Sequence, residues 1–134
     1  MAGDRRALQL SVLDLAPLPP DGTPFTAIVG SVDLAGVADA SGFHRYWIAE
    51  HHNGKVHACP EIMTTLIASA TERIRVGTAG VLFSYYSPLK VANVFLMLET
   101  VFQGRIDLGL ARGGIQDPRI ATGLWPRAST SPRA

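Results

Sequence analysis

An acidic residue and two adjacent histidines follow the second apolar run of the chain, in the order Ala49-Glu50-His51-His52-Asn53. Imidazole titrates near neutral pH and both donates and accepts protons, so either histidine is a candidate general acid or base. Adjacent residues of a strand point to opposite faces. We therefore expect that His51 and His52 do not face the same ligand.

Two other interpretations of this segment are a metal site and a purely structural role. The metal site would use Glu50, His51, His52 and His57. The spacing argues against it, because the chain has no H-E-x-x-H pattern and no pair of cysteines. In the structural interpretation these residues cap the strand and pair with each other. We expect no metal.

Two further segments carry residue types that suit a ligand. Gly77-Thr78-Ala79-Gly80 is made of small residues, which let a flat aromatic ligand approach the backbone or simply allow a tight bend. Arg112 precedes Gly113 and Gly114. A guanidinium beside glycines suits a phosphate, although an arginine in this context also forms surface ion pairs. The segment matches neither G-x-G-x-x-G nor a P-loop.

The elements that position these residues alternate along the chain. Four apolar runs of strand length lie at Ala7–Leu15, Arg45–Ala49, Ile74–Leu82 and Ile106–Leu110. Apolar residues at helical spacing fill the three segments between them. The order βαβαβαβ predicts an α/β fold with a parallel sheet, either an open doubly wound sheet or part of a (β/α)₈ barrel. In both architectures ligands bind at the carboxyl ends of the strands, where all of these candidate residues lie.

Capping signals support the helices. Pro60 suits the first turn of the second helix, and Ser87-Pro88 supplies an N-cap and first-turn pair for the third. Gly42 and Gly104 follow the first and third helical segments and suit C-terminal caps.

Composition limits the partners. The 134 residues include 12 Lys+Arg and 11 Asp+Glu, a net charge of +1, which gives no electrostatic reason to expect nucleic acid or a membrane surface. The single cysteine excludes an internal disulfide and suits a reducing cytoplasm, and no apolar run is long enough to span a membrane. We expect residues 1–123 to form the folded unit and residues 124–134 to be an irregular tail, flexible or truncated.

Four motifs, taken together, resemble the bacterial luciferase-like, flavin-dependent monooxygenase family. They are Phe43–Asn53, Ile74–Val81, Ser87–Val91 and Gly104–Leu110. The resemblance implies a TIM (β/α)₈ barrel, of which this chain corresponds to the N-terminal half. A complete barrel needs about 250 residues.

The resemblance also implies a cofactor and roles for single residues. The cofactor is reduced FMN, or a deazaflavin in one branch, and for FMN users the reaction is oxygen transfer from dioxygen to an organic substrate. His51 matches an active-site histidine that transfers protons, and Glu50 would support either this histidine or the edge of the flavin. Ala79 and Gly80 match a pair that lies against the isoalloxazine, often joined by a cis peptide bond. Arg112 matches an arginine that contacts the flavin phosphate.

The resemblance therefore implies a flavin-dependent monooxygenase in truncated form, for which a separate NAD(P)H:flavin reductase would supply the reduced flavin. The alternative is a non-catalytic half-barrel that binds no flavin and self-associates through the unpaired edges of its first and fourth strands. A third hypothesis is a small doubly wound domain that binds a nucleotide or flavin in an unrelated way.

Overall fold

Strands and helices alternate along the chain, and every strand pairing is parallel. The computed structural model describes residues 8–52 and 58–113. Its elements are β1 (Ser11–Asp14), α1 (Pro24–Ala40), β2 (Arg45–Ile48), α2 (Pro60–Ala70), β3 (Arg75–Thr78), β4 (Val81–Leu82), a 3₁₀ turn (Phe83–Tyr85), α3 (Pro88–Val101), β5 (Ile106–Asp107) and β6 (Leu110–Ala111).

The main sheet has the order β1-β2-β3-β5, so each new strand adds to the same side of the sheet. Arg45 of β2 aligns with Ser11 and Arg75, and Val76 aligns with Ile106. This order, with helices between the strands, confirms the predicted α/β unit with a parallel sheet.

The predicted third and fourth strands, Ile74–Leu82 and Ile106–Leu110, are wrong as single strands. Each is divided in two, and the second pieces, β4 and β6, pair with each other in a separate two-stranded sheet. Thr78 and Gly109 lie at the two breaks. The Thr78 hydroxyl donates to the Gly109 carbonyl at 2.9 Å, and the Gly109 N–H donates back to that hydroxyl at 3.2 Å. A side-chain bond thus replaces the strand ladder at this point.

The core lies between the sheet and the first two helices. Tyr46, Ile48 and Val76 are fully buried there, together with Ile67 of α2 and Ala35 of α1. Burial of such side chains is the main favourable term in folding.

The opposite face of the sheet carries both charged and apolar side chains. The Asp107 carboxylate accepts hydrogen bonds from Arg45 at 2.9 Å and from Arg75 at 2.6 Å. The Arg75 hydrogen bond, with the second arginine, holds the pKa of Asp107 below its usual range. Leu13 on β1 remains 59% exposed. This face is only partly covered by the described residues.

Local signals set the helix ends largely as expected. Thr23 and Thr26 form a reciprocal capping box across the first turn of α1, and α2 begins at Pro60. Gly42 and Gly104 follow α1 and α3 with φ of +78° and +74°, a conformation that glycine adopts readily. Ser87 is the N-cap residue of α3, but its side chain makes no capping hydrogen bond.

Asp39 connects α1 to the segment before β3. Its buried carboxylate accepts backbone N–H bonds from Glu72 at 2.8 Å, from Ile74 at 2.8 Å and from Arg73 at 3.2 Å. Burial raises the pKa of Asp39, but these backbone donors and the Arg73 charge lower it by more, so the net shift is downward.

Arg105 closes the carboxyl end of α2 in the same region. Its guanidinium donates to the carbonyls of Ala68 at 3.1 Å, of Thr71 at 2.8 Å and of Ile74 at 3.1 Å. Carbonyls at the end of a helix lack intrahelical hydrogen-bond donors, and the Arg105 guanidinium donates to more than one of them.

Some predictions lie outside the described residues. These are His57, Asn53, Gly114 and the tail 124–134. Within the part of the chain that is described, no helix has the length and apolar character needed to cross a bilayer.

We predict that Asp39→Asn lowers the free energy of unfolding near pH 7 by about 1–3 kcal/mol, because an amide cannot accept all three N–H bonds. The folded-state pKa of Asp39 is lowered, so its stabilisation is present above the usual value of 3.8 and is lost as the pH falls through the folded-state pKa. Urea unfolding of the wild type and of Asp39→Asn should therefore give free energies of unfolding whose difference shrinks below about pH 4. A difference independent of pH contradicts this account.

Candidate functional site

The predicted site residues lie at the carboxyl-terminal edge of the sheet. Glu50 and His51 follow β2, Ala79 and Gly80 separate β3 from β4, and Arg112 follows β6. The backbone ties the exits of β2 and β3 together, because the Ala79 N–H donates to the Ile48 carbonyl at 2.7 Å. The structure thus brings the exits of neighbouring strands to one edge, as the fold class requires.

Glu50 is a buried carboxylate with three hydrogen-bond donors. Its Oε1 lies 2.5 Å from His52 Nε2 and 2.5 Å from the Tyr86 hydroxyl, and its Oε2 accepts the Leu82 N–H at 2.8 Å. The Glu50 side chain has no exposed surface. A buried charge is tolerated only when it is paired or hydrogen-bonded, and these donors meet that need. We call Glu50, His52, Leu82 and Tyr86 the Glu50 cluster.

The two histidines have different surroundings. The His52 side chain is 9% exposed. Its Nε2 is the hydrogen-bond partner of Glu50 Oε1. His51 is exposed and has no hydrogen-bond partner within residues 8–52 and 58–113. This difference agrees with the expectation that the two rings face opposite sides.

Ala79 and Gly80 form the bend between β3 and β4. Their peptide bond is cis, as the resemblance implies. Ala79 is exposed, and Gly80 is buried against the backbone of Gly109, where an added Cβ would lie 2.9 Å from the carbonyl group. Gly80 therefore has no room for a side chain. The small side chain of Ala79 leaves the backbone of the bend open to a ligand.

Arg112 lies directly after β6, on the two-stranded sheet that follows the bend. The Ser84 hydroxyl donates to its carbonyl at 2.6 Å. Its side chain is exposed, and its guanidinium has no ion-pair partner in the described part of the chain. Gly113 follows with φ of +65°. The backbone of Arg112 is thus held while its cationic end is available to an anion.

No group of three or more possible metal ligands occurs among residues 8–52 and 58–113. Of the four residues in the metal interpretation, His57 lies outside this range, and Glu50 is bonded to His52. Cys59 is exposed at the start of α2, where partial burial and then the charges of Glu61 and Glu50 raise its pKa.

Tyr86 is the residue that the sequence analysis missed. It follows the 3₁₀ turn and directly precedes Ser87-Pro88. Burial, and then its hydrogen bond to Glu50, raise the pKa of its hydroxyl, so it stays protonated as a donor. An aromatic hydroxyl just before a helix start is a weak signal, because nothing local shows that it contacts a residue 36 positions earlier.

Comparison with known proteins identifies a family. The family model for luciferase-like monooxygenases matches residues 8–132. A luciferase-like monooxygenase of Escherichia coli is 40% identical over 121 residues, which are 89% of this chain and 36% of that protein. The oxygenase component of a flavin-dependent trigonelline monooxygenase of Acinetobacter baylyi is 33% identical over 84 residues, 61% of this chain and 23% of that protein.

A solved structure gives the same result for the fold. The crystal structure of apo-MsnO8 superposes with a TM-score of 0.84 at 42% identity, covering 87% of this chain and 36% of that one. The parallel sheet and its helices are therefore part of a luciferase-like TIM barrel. The chain spans 36% of the length of the Escherichia coli relative.

We predict that Gly109→Ala destabilises the chain by about 3 kcal/mol, because a methyl group there would overlap the Thr78 carbonyl oxygen. Gly36→Ala is the matched control. A Cβ at Gly36 meets nothing within 4 Å, and alanine there should stabilise α1 by about 0.5–1 kcal/mol. Chemical denaturation of the two variants measures both effects. Equal stability of the two variants would rule out the close approach.

Proposed function

Because the chain belongs to the luciferase-like monooxygenase family, we propose that it is part of a flavin-dependent monooxygenase that uses reduced FMN and dioxygen to oxygenate an organic substrate. The observation that carries the proposal is the family match over residues 8–132, which includes His51, Ala79, Gly80 and Arg112. The Acinetobacter baylyi relative is a flavin-dependent monooxygenase, which supports the cofactor class.

The residues present suit a phosphorylated flavin. Arg112 offers an exposed guanidinium without an ion-pair partner among the described residues, which fits a phosphate. Ala79 and Gly80 offer a surface low enough for a planar ring to lie close to the backbone. When bound, reduced FMN would supply the electrons that activate dioxygen. A deazaflavin in place of FMN is the second cofactor candidate.

We assign proton transfer to His51 and a supporting role to Glu50. The His51 imidazole is exposed at the edge where the flavin would bind, so it is free to take or give a proton. Glu50 is less suited to exchange protons with a ligand, because both of its oxygens accept hydrogen bonds and its side chain is fully buried.

A separate NAD(P)H:flavin reductase is the partner that this function would require, because FMN must arrive reduced. The relative from Acinetobacter baylyi is described as an oxygenase component, which is consistent with such a division of labour. The chain spans about a third of the curated relatives, so the substrate of the whole protein would depend on further elements as well.

The second candidate function is a non-catalytic half-barrel that self-associates and binds no flavin. Exposed apolar side chains on both sheets favour it, because Leu13 of β1 is 59% exposed and Leu110 of β6 is 57% exposed. The outer strands β1 and β5 also have one unpaired edge each in the main sheet. A sedimentation experiment that finds only folded monomer would argue against it.

We predict that the chain binds FMN and that Arg112→Ala weakens FMN affinity about tenfold or more, because a charge-assisted bond to the phosphate is lost. Riboflavin lacks that phosphate, so its affinity should change by less than about twofold. Titration followed by flavin fluorescence measures both.

Arg73→Ala is the matched control for this titration. Arg73 is an exposed arginine that precedes β3, at the opposite end of the strand from Ala79. Its loss should leave FMN affinity unchanged. No FMN binding at high micromolar concentration, or equal losses for FMN and riboflavin with Arg112→Ala, contradicts the proposed site.

A further inference from the structure

We propose that Tyr86 and His52 are positioning residues for His51, acting through Glu50. The proposal rests on the proposed function, in which His51 transfers protons. Neither the family match nor the sequence pattern assigns a role to Tyr86. The evidence is the geometry of the Glu50 cluster, together with the exposure of His51.

The bond between Glu50 and His52 fixes the direction of the residue between them. In extended backbone, side chains two positions apart lie on the same side, and the intervening side chain points the other way. Glu50 Oε1 and His52 Nε2 are 2.5 Å apart, so these side chains share one side. His51 is accordingly exposed, although both of its neighbours have buried side chains.

Tyr86 attaches this arrangement to the rest of the fold. Its hydroxyl donates to the same Glu50 oxygen that His52 contacts, and it lies 3.2 Å from His52 Nε2. Leu82 supplies the third donor from β4, directly after the Ala79–Gly80 bend. The segment that carries His51 is therefore held against β4 and the start of α3.

Removal of one donor should loosen the whole cluster. A buried carboxylate that loses a hydrogen bond keeps its desolvation penalty, so the Glu50 side chain would move or admit water. His52 would then lose its partner part of the time. His51 has no hydrogen bond or ion pair with the Glu50 cluster in the described residues, and any change at His51 would have to pass through the backbone.

Diethyl pyrocarbonate, which acylates accessible imidazole nitrogens, tests this proposal on the unliganded chain. The rate at each histidine is read by peptide mass spectrometry. In the wild type His51 should react at least about tenfold faster than His52, whose Nε2 is held by a charge-assisted bond. In Tyr86→Phe the reaction rate of His52 should rise, so the ratio of the His51 rate to the His52 rate should fall about threefold or more.

Ser84→Ala is the control. It removes a hydroxyl from the 3₁₀ turn that precedes Tyr86, and this hydroxyl bonds to the Arg112 carbonyl and not to Glu50. It should keep the wild-type ratio. Circular dichroism establishes that each variant is folded. If Tyr86→Phe does not fold, Glu50→Gln, which keeps the side-chain size, takes its place and should give the same collapse of the ratio.

Equal reactivity of His51 and His52 in the wild type would overturn the proposal, as would an unchanged ratio in folded Tyr86→Phe. Repeating the reaction in the presence of FMN tests the proposed function separately from the positioning role. Protection of His51 by FMN supports the flavin site. Failure of that protection with the ratio intact contradicts the flavin site and leaves the positioning role of Tyr86 and His52 supported.

Discussion

The buried charge of Glu50 constrains the whole candidate site. A carboxylate removed from water must find hydrogen-bond partners, and this one finds them in His52, two residues away, and in Leu82 and Tyr86, 32 and 36 residues further along the chain. The same bonds that satisfy the charge join the exit of β2 to β4 and to the turn before α3. The position of His51 is a consequence, because this residue lies between Glu50 and His52.

Charged side chains organise the rest of the unit in a similar way. Asp39 fixes the segment before β3, Arg105 closes α2, and Asp107 joins the two arginines that begin β2 and β3. The apolar core between the sheet and the helices supplies most of the favourable free energy. The polar contacts fix the positions of the segments around this core. The exits of the strands at the opposite edge, where ligands bind in this fold, are thereby held in place.

The sequence predicts much of this arrangement because the responsible signals are local. Apolar spacing, Pro60 and Gly104 place the helices, and strand alternation predicts that His51 and His52 diverge. The division of the third and fourth strands is not predictable in this way. It depends on Thr78 and Gly109, 31 residues apart, whose contact exists only once β3 and β5 are paired. Tyr86 is missed for the same reason, since its partner Glu50 is fixed by the fold and not by a neighbouring residue.

The most direct test of this account is the hydrogen-exchange rate of the Leu82 amide, measured by NMR. If Glu50 accepts this N–H, the amide should exchange at least about tenfold more slowly than an unprotected one, and Glu50→Ala should abolish that protection. The Ala79 amide, which donates to the Ile48 carbonyl, should keep its protection in the same variant. A Leu82 amide that exchanges freely in the wild type would contradict the central role of Glu50.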